Sequence, residues 1–89
     1  MAIRHRDRWE RNKVHGDRKA RAELIREYVP LVHYVVTRMS VRPQCIMDEE
    51  DLVAIGILGL ISAVQAFDPS RGIKFSTFAV PRVRGAILD

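Results

Sequence analysis

The most chemically mixed segment of the chain is FDPSRGIKFSTFAVPRVRGAILD, at residues 67–89. It places phenylalanine rings and two hydroxyl side chains among four cations, Arg71, Lys74, Arg82 and Arg84. A helix face that only packs would segregate its cations from its rings. Rings stack on unpaired bases, cations attract phosphates, and hydroxyls reach phosphate oxygens or base edges. The segment therefore favours binding of an unstacked nucleic-acid strand.

The histidines and the cysteine show no spacing that is typical of a catalytic or metal site. His5, His15 and His33 are scattered, and Cys45 has no second thiol or imidazole at ligand spacing. The chain also lacks a glycine-rich phosphate loop and the HExxH and GxSxG motifs. We therefore expect a protein that is not an enzyme and that uses no metal or cofactor.

The length of 89 residues predicts one small domain, near the lower limit for a self-sufficient core. A single cysteine excludes an intramolecular disulfide, which favours a reducing compartment. No apolar run reaches the length of about 18 residues that a membrane span needs, and the N-terminus lacks the apolar segment of a signal peptide. The sequence predicts a cytoplasmic protein with no membrane partner.

Charge is distributed in three blocks along the chain. Residues 1–42 carry eleven Lys and Arg against five Asp and Glu, residues 43–69 carry none against five, and residues 70–89 carry four against one. The blocks have net charges of +6, −5 and +3, within an overall +4. The acidic block includes DEED at 48–51, which either forms a helix's first turn, favoured by the helix dipole, or meets a second partner.

Hydrophobic periodicity predicts an all-α fold, a compact bundle of about four helices without a sheet. Residues 1–16 form a polar extension or a short helix (4–14) with Trp9 as its large anchor, and residues 17–89 form the helical domain. The chain ends within its last helix.

The first long helix is predicted to begin after a cap at Asp17 and to end before a loop at 40–47. Pro30 lies inside it and predicts a kink near residues 26–28. Its apolar positions recur at three- and four-residue steps: Leu24, Tyr28, Leu31, Val32, Val35 and Met39.

The second helix, about 48–67, is apolar nearly all round its axis. One apolar stripe consists of Val53, Ile57, Leu60, Ile61, Val64 and Phe67, and the residues largely off it are Leu52, Ile55, Gly56, Gly59, Ser62 and Ala63. A helix that is apolar on every side is buried on every side, and a domain of this size can hardly cover all of it. Gly56 and Gly59 each cost roughly 1 kcal/mol in a helix interior, so close approach of another helix should offset them, and the preceding helix is the simplest candidate. The predicted contacts between these two helices are Leu31, Val35, Leu60 and Val64.

A turn and a last helix complete the predicted fold. Pro69 suits the second position of a tight turn, and Gly72 relieves the backbone after it. The helix that follows begins at about Lys74, and Pro81 inside it should bend it or expose a carbonyl near Thr77.

Several motifs in register make residues 48–89 resemble the central region (region 2) of bacterial sigma factors of the sigma-70 family. They are DL at 51–52, GILGL at 56–60, AVQAFD at 63–68, RGIKFSTFA at 71–79 and VRGAI at 83–87. A weaker likeness extends back toward residue 24. The ending RVRGAILD is similar to the flagellar and sporulation branch, which consists of alternative sigma factors.

The resemblance implies a helical domain that acts in transcription initiation through two surfaces. The helix at 48–67 would bind a coiled coil on the clamp of the largest subunit of RNA polymerase core. The residues expected at that interface are Asp51, Leu52, Ala54, Ile55, Leu58 and Ile61.

The segment at 67–88 would capture the −10 promoter element as single-stranded non-template DNA. The residues expected to contact DNA are Phe67, Asp68, Arg71, Lys74, Ser76, Thr77, Phe78, Arg82 and Arg84. Five of these are expected to form a pocket for a flipped base: Phe67, Asp68, Arg71, Thr77 and Phe78. An anti-sigma regulator is a further expected partner.

Some positions depart from the housekeeping pattern of the family. Pro81 and Arg82 stand where housekeeping members carry two tryptophans, Phe78 stands for a tyrosine, and Ile73 for an aromatic residue. These differences favour a specialised promoter. Two alternatives remain open from the residues alone: a helix-turn-helix regulator that binds duplex DNA, and a helical module that binds only protein.

Overall fold

Three α-helices and a short 3₁₀ turn form the described part of the chain. The computed structural model describes Trp9, residues 18–39 and residues 48–88. The helices are α1 (Arg18–Met39), α2 (Glu49–Ala66) and α3 (Phe75–Leu88), and the 3₁₀ turn is Pro69–Arg71. No strand occurs in these residues, which confirms the all-helical prediction. A fourth helix would need residues 4–14, of which only Trp9 is described, so the count of four remains a prediction.

Helix α1 presents one apolar face to the rest of the fold, as its periodicity predicts. Leu24, Val32 and Val35 are buried, whereas Tyr28 and Leu31 are partly buried against the core. The helix continues through the exposed Pro30 to Met39, and the kink stays a prediction. The predicted cap at Asp17 and the predicted loop at 40–47 lie outside the described residues.

Helix α2 begins with an acidic first turn. Asp48 is its N-cap, and the Asp48 carboxylate accepts a hydrogen bond from the backbone N–H of Asp51 at 2.9 Å. Glu49, Glu50 and Asp51 follow in the first turn, where the positive end of the helix dipole favours them. The predicted bounds of 48–67 thus agree with the observed helix to within one residue at each end.

The apolar stripe identified in the sequence coincides only partly with the buried side of α2. Val53, Ile57 and Ile61 are only partly buried. The buried positions of α2 are Leu52, Gly56, Gly59, Leu60, Ala63 and Val64. The helix is apolar on almost every side, so periodicity cannot identify the side that faces its neighbours. Small residues mark the buried side instead, because the two other helices approach α2 closely there.

Both glycines of α2 lie at helix–helix contacts within the chain. An ideal Cβ at Gly56 would lie 2.6 Å from Val32 Cγ1 of α1. One at Gly59 would lie 3.0 Å from the Arg82 carbonyl oxygen and 3.0 Å from Val83 Cα, both in α3. The close approach predicted from the glycines is therefore present, but at Gly59 the neighbour is the following helix rather than the preceding one.

The segment between α2 and α3 is a capped turn. Asp68 caps the 3₁₀ turn, Pro69 is its first residue, and Gly72 after it has φ 73°. That left-handed backbone favours glycine, as the sequence predicts. Helix α3 begins immediately after Lys74, whose carbonyl accepts from the Phe78 N–H at 3.3 Å.

The core lies where the three helices meet. Leu24, Val32, Leu60, Val64 and Val83 are among its fully buried side chains. Three of the four contacts predicted between α1 and α2 (Val35, Leu60 and Val64) are buried, and the fourth, Leu31, packs against the core.

Candidate nucleic-acid and protein interfaces

A cluster of aromatic rings lies under the turn and the start of α3. The Tyr28 and Phe75 ring centroids are 4.5 Å apart, and those of Trp9 lie 4.8 Å from Phe67 and 4.9 Å from Phe75. Phe67 and Phe75 are themselves 5.2 Å apart with their rings nearly perpendicular. These tilted and edge-to-face arrangements are the ones that aromatic pairs prefer. The cluster fixes the turn and the first residues of α3 against α1.

Phe67 belongs to this cluster rather than to the surface. Its exposed fraction is 5%, and Trp9, Phe75 and Phe78 surround its ring. The Phe67 ring thus lies among protein rings, and its expected place in the base pocket stays a prediction. Phe67 supports the neighbouring Phe78 ring, with the two centroids 5.4 Å apart.

Phe78 lies at the solvent edge of the cluster. It is partly buried, and the guanidinium carbon of Arg82, one helical turn later, lies 4.0 Å from its ring centroid. This distance is typical of a cation–π contact. Sequence reasoning predicted a surface position for Phe78 but did not predict the contact with Arg82, although their i, i+4 spacing was the available signal.

Asp68 organises the turn before α3. One carboxylate oxygen, Oδ1, accepts from the Ser70 backbone N–H at 3.0 Å and from the Ser70 hydroxyl at 2.7 Å. The other, Oδ2, lies 3.7 Å from Arg71 Nε. Both groups are well exposed, so this ion pair contributes little stability. The Arg71 side chain thus lies beside the turn in this structure.

The remaining expected DNA contacts lie at or near the surface of the same segment. Lys74, Thr77, Arg82 and Arg84 are exposed, and Ser76 is partly buried. Lys74 and Ser76, together with the half-exposed Ile73, also line a hollow of about 400 Å³. The Phe67 and Phe75 rings belong to the same lining. The segment therefore presents cations and hydroxyls around the edge of an aromatic cluster.

A second surface follows the exposed side of α2. Asp51, Ala54 and Leu58 are exposed, with Leu58 at 66%, and Ile55 and Ile61 are partly buried. Their spacing of three or four residues places these five side chains on one side of the helix. We call this set the α2 stripe.

Leu52 does not belong to the α2 stripe. Its exposed fraction is 6%, and it packs in the core. The Leu52 side chain packs among the helices of the core, and its expected contact with RNA polymerase stays a prediction.

The acidic first turn and the cationic turn lie at opposite ends of α2. The acidic residues 48–51 surround the N-terminus of α2, and the cationic turn follows its C-terminus. Eighteen residues of α-helix separate them by about 27 Å.

Tyr28 is the titratable group of the cluster. Burial raises the pKa of its phenol, and the negative charge of Glu27 raises it further. Both effects disfavour the phenolate.

Among Trp9 and residues 18–39 and 48–88, no three His, Cys, Asp or Glu side chains are grouped to hold a metal ion. The described helices also include none with the length and apolar character needed to cross a membrane.

The described residues thus form a helical domain with a partly apolar stripe and a basic, ring-bearing segment, and comparison with known proteins identifies its family. Residues 24–89 match the family described as Sigma-70 region 2. The chain therefore belongs to the sigma-70 family, of which it contains region 2.

Similar curated proteins are RNA polymerase sigma factors. The chain is 48% identical over 81 residues to the RNA polymerase sigma-D factor of Bacillus subtilis, covering 91% of this chain and 32% of that protein. It is 42% identical over 66 residues to the sigma factor FliA of Escherichia coli, covering 74% and 28%. It is 44% identical over 69 residues to the sigma-F factor of Kitasatospora aureofaciens, covering 78% and 22%. The chain thus spans a third or less of the length of these relatives.

Proposed function

We propose that this chain is the part of a transcription initiation factor that binds RNA polymerase core and recognises the −10 promoter element as single-stranded non-template DNA. One observation carries the proposal: the Phe78 ring lies at the solvent edge of a rigid aromatic cluster, with exposed Arg71, Lys74 and Arg82 on the same segment. The names of the relatives, all RNA polymerase sigma factors, support polymerase as the partner.

The proposed mechanism is capture of a base that has left the DNA stack. Extruding a base costs a few kcal/mol of stacking and pairing. Stacking on Phe78 offsets about 1–3 kcal/mol of this cost, and Phe67 holds the ring in place from the core side. Arg71, held beside the turn by Asp68, and Lys74 neutralise the phosphates, and Thr77 is exposed for a hydrogen bond to a phosphate or a base edge.

The α2 stripe is the proposed surface for RNA polymerase core, with the clamp coiled coil of the largest subunit as the specific partner. Leu58 supplies exposed apolar area at its centre, and Asp51 supplies charge at its acidic end. An apolar centre with a charged rim is typical of a protein–protein interface. An anti-sigma regulator that covers the α2 stripe, or Phe78 and the exposed cations beside it, would hold the factor inactive.

Replacement of Phe78 tests the proposed DNA site. In complex with bacterial RNA polymerase core, Phe78→Ala should weaken binding to a duplex that contains an unpaired central segment by about 1–3 kcal/mol, because the stacking ring is lost. Binding to the same sequence fully paired should change much less. Dissociation constants from fluorescence anisotropy measure both.

Tyr34→Ala is the matched control. Like Phe78, Tyr34 has an arginine one turn later, with the Arg38 guanidinium carbon 4.8 Å from its ring centroid. Tyr34 is exposed and lies on α1, outside the segment 67–88. The Tyr34→Ala variant should leave the affinities for the partly unpaired DNA and for the fully paired DNA unchanged. If Phe78→Ala weakens binding to the DNA with the unpaired segment and to the fully paired DNA equally, the result would support the helix-turn-helix alternative instead. No loss on either DNA, with polymerase binding intact, would support a module that binds only protein.

A further inference from the structure

The contact between Arg82 and Phe78 occupies the ring that the proposed DNA site uses. Phe67, which lies against Phe78, is buried, whereas Arg82 is exposed. The guanidinium, 4.0 Å from the Phe78 centroid, therefore covers the ring from the solvent side. A base that stacks on this face has to displace it.

Among residues 18–39 and 48–88, the structure records no ion pair for the Arg82 guanidinium. Asp68 is the single carboxylate in the sequence between residues 67 and 88, and it is bound to Ser70 and lies beside Arg71. The ring is thus the partner that the structure records for the Arg82 guanidinium. An arginine that stacks only on a ring can leave it at a modest cost, since an exposed cation–π contact is weak.

The backbone of Arg82 is fixed, so only its side chain can move. Its carbonyl oxygen lies 3.0 Å from the ideal Cβ position of Gly59, where α3 packs directly on the backbone of α2. Displacement from Phe78 is therefore a rotation of the side chain, which leaves the guanidinium within reach of a neighbouring phosphate.

We propose that Arg82 determines how strongly this surface prefers unpaired over paired DNA, by competing with the base for the Phe78 ring. This inference rests on the proposed function. Binding of an unpaired base exchanges the cation–π contact for a base stack. Duplex DNA needs no access to the ring and meets Arg82 only as a positive charge. The arginine thus weakens unpaired binding relative to duplex binding, even though it contributes charge to both.

Arg82→Ala tests the inference against Arg84→Ala, which removes the same charge from an exposed position two residues later. Affinities are measured with polymerase core, on a duplex with an unpaired central segment of mixed sequence and on the same duplex fully paired. Arg84→Ala should lower both affinities by a similar factor, because it removes only a phosphate contact. We define the bubble-to-duplex ratio as the affinity for the DNA with the unpaired segment divided by the affinity for the fully paired DNA. Arg82→Ala should raise this ratio by about two- to fivefold, which corresponds to one released cation–π contact.

A Phe78→Ala background separates this inference from the proposed function. Without the ring, Arg82→Ala should no longer change the bubble-to-duplex ratio. If Phe78→Ala alone leaves bubble binding intact, the proposed function fails. If Phe78→Ala weakens bubble binding but Arg82→Ala leaves the ratio unchanged or lowers it, only the inference is overturned, since Arg82 then acts as a phosphate contact or as part of the stack.

Discussion

At the scale of single residues, Tyr28 couples the aromatic cluster to pH. Its ring stacks on Phe75 with a centroid distance of 4.5 Å. Burial, and then the charge of Glu27, raise the pKa of its phenol above the ordinary value near 10. The folded state therefore favours the protonated phenol more than the unfolded state does. The stabilisation is fully present below the unfolded pKa and is lost as the pH rises through the folded pKa.

The chain has two tyrosines, so Tyr34→Phe leaves Tyr28 as the only phenol. In that variant, the ultraviolet absorbance of the phenolate should titrate above pH 10 in the folded state and return to about 10 in denaturant. Tyr28→Phe keeps the ring stack and should show a smaller loss of unfolding free energy above pH 10 than the parent. A folded-state titration at or below 10 would contradict the assignment.

The three phenylalanines illustrate what residue types can and cannot predict. Their presence among cations correctly indicated a surface segment, and the four-residue step from Lys74 to Phe78 and on to Arg82 placed one ring near solvent. The burial of Phe67 depends on Trp9, which is 58 positions earlier in the sequence and packs 4.8 Å from it. Periodicity places Phe67 on an apolar stripe, but it carries no information about the distant Trp9 partner.

At the scale of elements, the contact between α2 and α3 depends on Gly59. A Cβ there would lie 3.0 Å from the Arg82 carbonyl oxygen and from Val83 Cα. Both atoms belong to backbone, which cannot rotate away as a flexible side chain can. Gly85 in α3 has no atom within 4 Å of its ideal Cβ position. The two glycines therefore provide a matched comparison within one pair of helices.

Gly85→Ala should increase the free energy of unfolding by roughly 0.5–1 kcal/mol, because alanine is the better helix former. Gly59→Ala gains the same preference but forces the helices apart, at a cost of about 1–3 kcal/mol, so we expect a net loss of about 1 kcal/mol. Urea unfolding followed by circular dichroism measures both. Stabilisation by Gly59→Ala would show that the contact between the helices adjusts freely.

Element boundaries were predictable because they depend on local chemistry. Asp48 caps α2, and Gly72 with its φ of 73° ends the turn before α3. The orientation of α2 was not predictable, since Val53 and Ile57 are as apolar as the buried Leu52 and Leu60. Which side faces inward is decided by how closely the neighbouring helices approach, and this is a property of the packed structure rather than of the α2 sequence.

At the scale of the whole molecule, α2 separates two surfaces of opposite charge. Its N-terminus carries the acidic residues 48–51, and the cationic segment begins beyond its C-terminus. The sequence predicted this separation from charge blocks. The resemblance named Asp51 as the acidic residue of the interface, and the observed angle of Asp51 about the helix axis places it on the α2 stripe.

The last prediction uses that angle. Asp51 aligns with Ala54 and Leu58 on the α2 stripe, whereas Glu49 lies in the same first turn but roughly 160° away around the axis. Charge reversal at either position opposes the helix dipole, so Asp51→Arg and Glu49→Arg should lower thermal stability by similar amounts. Only Asp51→Arg should weaken binding to RNA polymerase core, by about tenfold at low salt and less as salt screens the contact. Titration of labelled chain with core at two salt concentrations measures this. Equal weakening by both variants would mean that the acidic turn acts only through its overall charge, and unchanged binding with reduced stability would mean that Asp51 serves only its own helix.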